Sequence, residues 1–349
     1  MALHGDVVMM GQVKHQESAR PPEVWAQGAI ENALKQLRYT NRMLSDGHVK
    51  SLRSPTLGEL TLDAARYTSK FGLIVLDQPA ALFDATSLVP AIEDLGFPVH
   101  VFSLKDFAMI AERLDTAADL VIYLEMRHSF RNAIKVLVHD EARTLGLVSD
   151  HIEDWFRAVK PSSGADPDKL ALTVNVMQRT LAGEFLQSPH REHGQAFDDI
   201  IARMHDIDPT LPGNRTTDPR DVLPIVEELG WLSRARRVAL GRGMLRMVRD
   251  TVAGGQYVTC HFQRPRGIVF VYLCTGAPRS ERGEMLRALV MRAQAKYDCR
   301  AALGVATEPL GAGRSYDAFM HGGPLPGGLV TVLRGTDDPF GDDSKQLVS

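Results

Sequence analysis

Apolar residues at Trp25, Ile30, Leu34, Leu37 and Leu44 recur at three, four or seven residues, or close to it. They predict one amphipathic helix over residues 22–44, stopped by Asp46-Gly47. A short strand is expected over 48–52. Leu60 and Leu62 alternate with Thr61 and Asp63, the pattern of a half-buried strand. Thr68-Ser69-Lys70 reads as a turn. The continuous apolar run 71–76, closed by Asp77, then reads as a central strand covered on both faces. Gln78-Pro79 ends it, because proline donates nothing to a central ladder. A helix over 87–95 with Gly96 at its end, a strand over 99–102 and a helix over 104–113 follow. Thr116, with Asp119 three residues later, resembles a capping box for a helix that buries Leu120, Val121, Tyr123 and Leu124. Residues 130–147 read as its continuation.

The second half opens on helical periods over 168–187, 195–204 and 233–252. Asp218-Pro219 opens another that ends before Gly230. A strand over 267–274, a helix over 280–296 and a strand over 301–307 predict a parallel pair joined by a crossover. Residues 329–333 are expected to add a strand. Residues 1–22 show no sustained period and read as a loose lead-in. Serine, glycine and proline cluster over 160–167 and mark a linker. The expected organisation is therefore a first domain over 23–160, a second over 168–335, and an acidic tail over 336–349.

Composition narrows the function classes. The chain has 349 residues, 44% hydrophobic and 24% charged, which suits about two globular domains. Its net charge of −3 gives no general pull toward nucleic acid or anionic lipid, so any such contact must be a local patch. Cys260, Cys274 and Cys299 are odd in number and widely spaced. They argue against a disulfide framework and a cysteine zinc site, and fit a reducing cytoplasm. No signal peptide is read at the start, and no apolar run has membrane-spanning length. There is no Gly-x-Ser-x-Gly elbow. His190 and His193 flank Glu192 in a segment read as a loop, not as the helical zinc motif.

Three groups of residues carry candidate chemistry. Glu31 lies on the first helix, Asp63 near the end of the first hairpin strand and Asp77 at the end of the next. A hairpin turning near Ser69 brings Asp63 and Asp77 toward each other. Converging carboxylates hold a divalent metal that activates water against a phosphodiester. The second group is the arginine-rich helix SRARRVALGRGMLRMVRD, with Arg234, Arg237, Arg242, Arg246 and Arg249 offering a phosphate-binding face. Val238, Leu245 and Val248 are expected to face the core. The third lies beyond the last crossover strand, where Glu308, Arg314, Asp317 and His321 stand in a glycine-rich stretch at an edge that binds ligands in open α/β sheets.

The stretch GELTLDAARYTSKFGLIVLDQP, and VHVFSLKDFAMIAERLDTAADLVIYLEMR after it, resembles the restriction-endonuclease-like, or nuclease-related, domain family over roughly residues 25–130. The resemblance implies an α/β fold with a nuclease-type mixed sheet in the first half. It also implies Glu31, Asp63 and Asp77 as catalytic Mg²⁺ ligands, and DNA as the substrate. The family follows its strand acid with any residue and then lysine, which orients the attacking water. Here Asp77 is followed by Gln78 and Pro79, so the resemblance implies the scaffold more than the activity. Two other expectations stand beside a DNA-acting protein: a non-catalytic scaffold that holds a protein partner, and a small-ligand binder at the 308–321 edge.

Overall fold

The computed structural model describes residues 2–16, 21–54, 58–77, 88–134, 141–159, 167–205, 223–251, 256–263, 267–309, 315–326, 330 and 333. The chain forms two compact units. The first comprises Met1–Arg191, Arg203–Arg220 and Glu227–Arg236, and the second Glu192–Ala202, Asp221–Val226 and Arg237–Ser349.

The first unit is built on a four-stranded sheet. β1 (Ala2–His4) turns through Gly5-Asp6 into β2 (Val7–His15), antiparallel to it. Gly5 takes the positive φ of 60° that such a tight turn requires. Helix α1 (Pro22–Ser45) leads to a separate two-stranded ribbon of β3 (Ser51–Ser54) and β4 (Gly58–Thr61). A 3-10 turn over Ala64–Arg66 feeds β5 (Ser69–Asp77), which lies parallel to β2 from Val7 opposite Ser69 to His15 opposite Asp77. Helix α2 (Val89–Glu93) returns the chain to β6 (Val99–Ser103), parallel to β5 on its other side. The sheet order is β1-β2-β5-β6.

The period of two along these strands sorts the core into two layers. Val8, Met10, Ile74, Leu76 and Val99 pack under α1 and α2, with Ile30, Leu34 and Leu37 of the α1 stripe. Val7, Met9, Phe71, Leu73 and Phe102 face the other side. There they meet α3 (Leu104–Arg113), α4 (Ala117–Ile134), α5 (Glu141–Val159) and α6 (Pro167–Leu181).

Helices α7 (His190–His205), α8 (Leu223–Gly230) and α9 (Arg234–Asp250) precede the second unit's sheet. Its order is β10-β9-β8-β7, formed by β7 (Gln256–Gln263), β8 (Ile268–Thr275), β9 (Ala301–Thr307) and β10 (Tyr316–Gly322). β8 and β9 are parallel, joined by α10 (Arg279–Tyr297), and the outer pairs are antiparallel. Val269, Val271 and Leu273 pack against Leu286, Leu289 and Val290 of α10. Among the described residues no helix is long and apolar enough to cross a membrane.

The α/β class, α1 and the second-half crossover match the sequence reading. Several details do not. Residues 1–22 are not a loose lead-in, because the four-residue run Val7–Met10 is buried on both faces and supplies a central strand. The expected 60–76 hairpin is replaced by two separate pairings: β4 joins β3, and β5 runs between two parallel neighbours. The chain does not divide at 160–167, since α5 and α6 on either side share one core. The Ser188-to-His193 segment does not stay a loop but enters α7 at His190. The start expected at Asp218-Pro219, the helical link over 135–140 and the acidic tail lie outside the described residues, as does most of 329–333.

Candidate functional site

The three carboxylates read as a metal site are held by three different local tasks. Asp63 caps the 3-10 turn, its Oδ1 accepting from the Ala65 amide at 3.0 Å. The Leu62 amide beside it bonds the Lys50 carbonyl, just past the C-terminal end of α1. That end of α1 also receives Lys70, whose Nζ donates to Asn41 and Ser45 at 2.9 Å each. Asp63 thus stands where β5 begins. Asp77 stands where β5 ends, eight residues on from Ser69, and such a strand spans about 26 Å. There Asp77 Oδ2 meets His15 Nδ1 at 2.7 Å, across the β2–β5 register. Glu31 accepts from Gln27 on its own helix at 3.3 Å. The trio does not fit a shared Mg²⁺. Among the described residues no group of three or more His, Cys, Asp or Glu is placed to hold a metal ion.

The arginines of α9 split into two classes. Arg234 is buried and spent, its guanidinium on Asp115 at 2.6 Å and its amide on Asp119 Oδ2 at 2.7 Å. Arg237 is mostly buried on Asp198 at 2.7 Å. Arg242, Arg246 and Arg249 are exposed, and their spacing of four and three places them on one helix face. Arg246 and Arg249 are 75% and 71% exposed, and they share Asp250 at 3.5 and 3.0 Å. The hydrogen bond from Arg249 leads in holding the Asp250 carboxyl below its ordinary range. Val238 faces inward as expected, but Leu245 is exposed and Met244 and Met247 take the buried positions. A window that scores apolar residues alone reads Leu before Met; the buried face is set by the helix's neighbours.

The 308–321 edge also divides. Ser315, Glu308 and Asp317 converge on Arg282, whose side chain is fully buried on α10. Its Nε donates to Asp317 Oδ2 at 2.6 Å, its Nη2 to Ser315 Oγ at 2.6 Å, and its Nη1 lies 3.0 Å from Glu308 Oε1. Ser315 closes the ring through its hydroxyl and amide on Glu308, at 2.7 and 3.2 Å. Arg279 adds a 3.0 Å bond to Asp317 Oδ1. Burial raises the Glu308 carboxyl, but the Ser315 bonds and the Arg282 charge outweigh it, and the net shift is downward. His321 sits at the far end of β10, its Nδ1 on Gln294 Oε1 at 2.6 Å. Arg314 lies outside the described residues.

This edge is therefore a closed ion cluster that ties both ends of the 308–315 connection to α10. It leaves neither carboxylate of the cluster without a cationic partner. Arg282 was absent from the sequence reading because an arginine inside a helix full of charged residues carries no local mark of burial.

A second buried cluster was also missed. Arg127 grips Glu141 with two parallel bonds, Nε to Oε1 at 2.8 Å and Nη2 to Oε2 at 2.9 Å, while the Tyr123 hydroxyl donates to the same carboxylate. The third guanidinium nitrogen reaches His100 Nδ1 at 3.2 Å. Arginine has no acceptor, so Nδ1 accepts and the ring proton lies on Nε2. The Phe102 ring lies 4.5 Å from the guanidinium carbon. The cluster locks α4, α5 and β6 together inside the first unit. No family model matches the chain, and no curated protein or solved structure matches it either.

Proposed function

We propose that this protein binds nucleic acid, duplex DNA in the first instance, through the exposed face of α9, and that it does so without metal-dependent strand cleavage. The observation that carries this reading is the stripe of Arg242, Arg246 and Arg249. Three exposed arginines share one helix face, and two of them, Arg246 and Arg249, share Asp250. Seven residues of helix place the outer two about 10 Å apart, a span that covers roughly three phosphates of one strand. Arginine suits phosphate because its planar fork donates in pairs and never loses its charge. The chain's overall charge of −3 makes this a patch-driven contact that salt weakens steeply.

Fluorescence anisotropy on a labelled duplex across a salt series tests it. Each phosphate neutralised contributes about −0.9 to the slope of log affinity against log salt. The triple variant Arg242→Gln, Arg246→Gln, Arg249→Gln is expected to flatten that slope by between about two and three. Unchanged binding in the triple variant, or none at low salt, overturns the reading. A parallel assay with Mg²⁺ or Mn²⁺ on supercoiled DNA is expected to give no nicking. Nicking that disappears in the Asp63→Ala, Asp77→Ala double variant would reinstate a nuclease.

A further inference from the structure

β2 is paired with β5 along all nine of its residues, but β1 covers only Val7, Val8 and Met9 on its other edge. Among the described residues no strand lies against that edge from Met10 to His15. Which backbone groups face outward follows from the pairings. The Asp6 carbonyl accepts from the Ser69 amide, so the even-numbered residues of this strand bond to β5. The two-residue turn at Gly5-Asp6 makes His4 and Val7 a hydrogen-bonded pair, so the odd-numbered residues face β1. Beyond the end of β1, the amides and carbonyls of Gly11, Val13 and His15 therefore point out of the sheet edge.

The sheet face that carries the odd-numbered side chains is also uncovered beside this edge. Gly11, Val13 and His15 are all exposed, and Val13, at 68%, is the most exposed large hydrophobic residue among those described. Natural sheets guard such an edge with lysine, proline or a bulge. The lysine here, Lys14, is drawn aside, its Nζ 2.5 Å from Gln36 Oε1 on α1.

We propose that this edge is an interface with a second copy of the same chain, formed by antiparallel pairing of the two β2 strands about a two-fold axis at Val13. The sequence favours this register over its neighbours. With Val13 on the axis, Val13 meets Val13, Gly11 meets His15 and Gln12 meets Lys14. All three outward-facing residues then find partners, giving about six backbone hydrogen bonds between the copies. No like charges face one another. Centring on Lys14 sets two ammonium groups opposite each other, which is unfavourable. Centring on Gln12 loses the pairing of His15, because β1 already occupies the edge at Met9. A strip of five residues makes a reversible, concentration-dependent dimer. It joins two four-stranded sheets into one continuous sheet.

The test is sedimentation of the full chain from low micromolar to submillimolar concentration, beside two variants. Val13→Lys places like charges on the axis and is expected to hold the chain monomeric, with an unchanged circular dichroism spectrum. Val13→Cys is expected to form a disulfide dimer under mild oxidation. Hydrogen-bonded antiparallel partners have α-carbons about 5.5 Å apart, within disulfide reach. Gly11→Cys, two residues off the axis, is expected not to cross-link to itself. A wild-type chain that stays monomeric throughout, a dimer that survives Val13→Lys, or equal cross-linking at positions 11 and 13 overturns the proposal. A monomer that binds an added strand-forming peptide at this edge would assign the edge to a foreign partner instead.

Discussion

Asp119 illustrates how much one side chain does beyond its local motif. The Thr116–Asp119 spacing was legible as a helix start. Indeed the Thr116 hydroxyl accepts from the Asp119 amide at 3.2 Å and donates to Asp119 Oδ2 at 2.6 Å. The same oxygen receives the amide of Arg234, 115 residues further on, and no spacing rule reaches that far. The other oxygen, Oδ1, is buried with no hydrogen-bond partner. Burial dominates over these bonds and raises the carboxyl above its ordinary value of 3.8. Linkage then fixes the sign. A raised folded value means the protonated form is favoured in the fold. The stabilising contribution is complete below 3.8 and is lost as pH rises through the raised value. Asn at this position does not titrate. Wild type is therefore expected to lose stability relative to Asp119→Asn as pH rises from below the carboxyl's ordinary value through its raised one. Urea unfolding at several pH values measures it, and parallel curves would remove Asp119 as the cause.

At the scale of elements, legibility followed length and period. α1 carries five apolar positions on one stripe, and the strand-helix-strand run over 268–307 has two apolar strands around a long helix; both were readable. The β2 strand was not, because only four of its nine residues are buried and its remainder alternates among Gly11, Gln12, Val13 and Lys14. The false hairpin came from taking adjacency in sequence for adjacency in the sheet, whereas β5 chose two parallel neighbours. What sequence cannot display at all is close approach between elements, and three glycines separate the cases. A Cβ on Gly241 of α9 would sit 1.9 Å from the His193 carbonyl oxygen of α7, against backbone that cannot rotate away. On Gly304 of β9 it would sit 2.5 Å from Val290 Cγ2 and 2.7 Å from Leu286 Cδ1, side chains of α10 that can partly yield. On Gly283, inside α10, it meets nothing within 4 Å. Thermal unfolding of the three alanine variants is expected to rank accordingly. Gly304→Ala costs about 1–3 kcal/mol, Gly241→Ala costs more, and Gly283→Ala gains about 0.5–1 kcal/mol from helix propensity. A Gly241→Ala variant as stable as wild type would contradict the α7–α9 contact.

The whole molecule is divided by packing and not by composition. The Ser-Gly-Pro cluster at 160–167 reports only that the local chain favours turns, and says nothing of which helices share a core. On its far side, α6 buries Val174, Met177 and Leu181 in the core that holds Leu145, Val148 and Ile152 of α5. Trp231 packs there as well, lying where a Cβ on Gly5 would come within 2.2 Å of its ring nitrogen. The first unit is thus assembled from distant stretches, Arg203–Arg220 and Glu227–Arg236 among them. A chain cut after residue 160 keeps the whole β1-β2-β5-β6 sheet yet loses those buried side chains. At about 1.5–3 kcal/mol each, the three α6 residues alone contribute roughly 5–9 kcal/mol, which is comparable to the entire stability of an ordinary domain. The 1–160 chain is therefore expected to keep far-ultraviolet helical signal while losing near-ultraviolet signal and binding hydrophobic dye, the signs of a compact state without fixed packing. A sharp cooperative melt from that fragment would show that the sheet and its first five helices are sufficient. It would return the domain boundary to the linker that composition suggested.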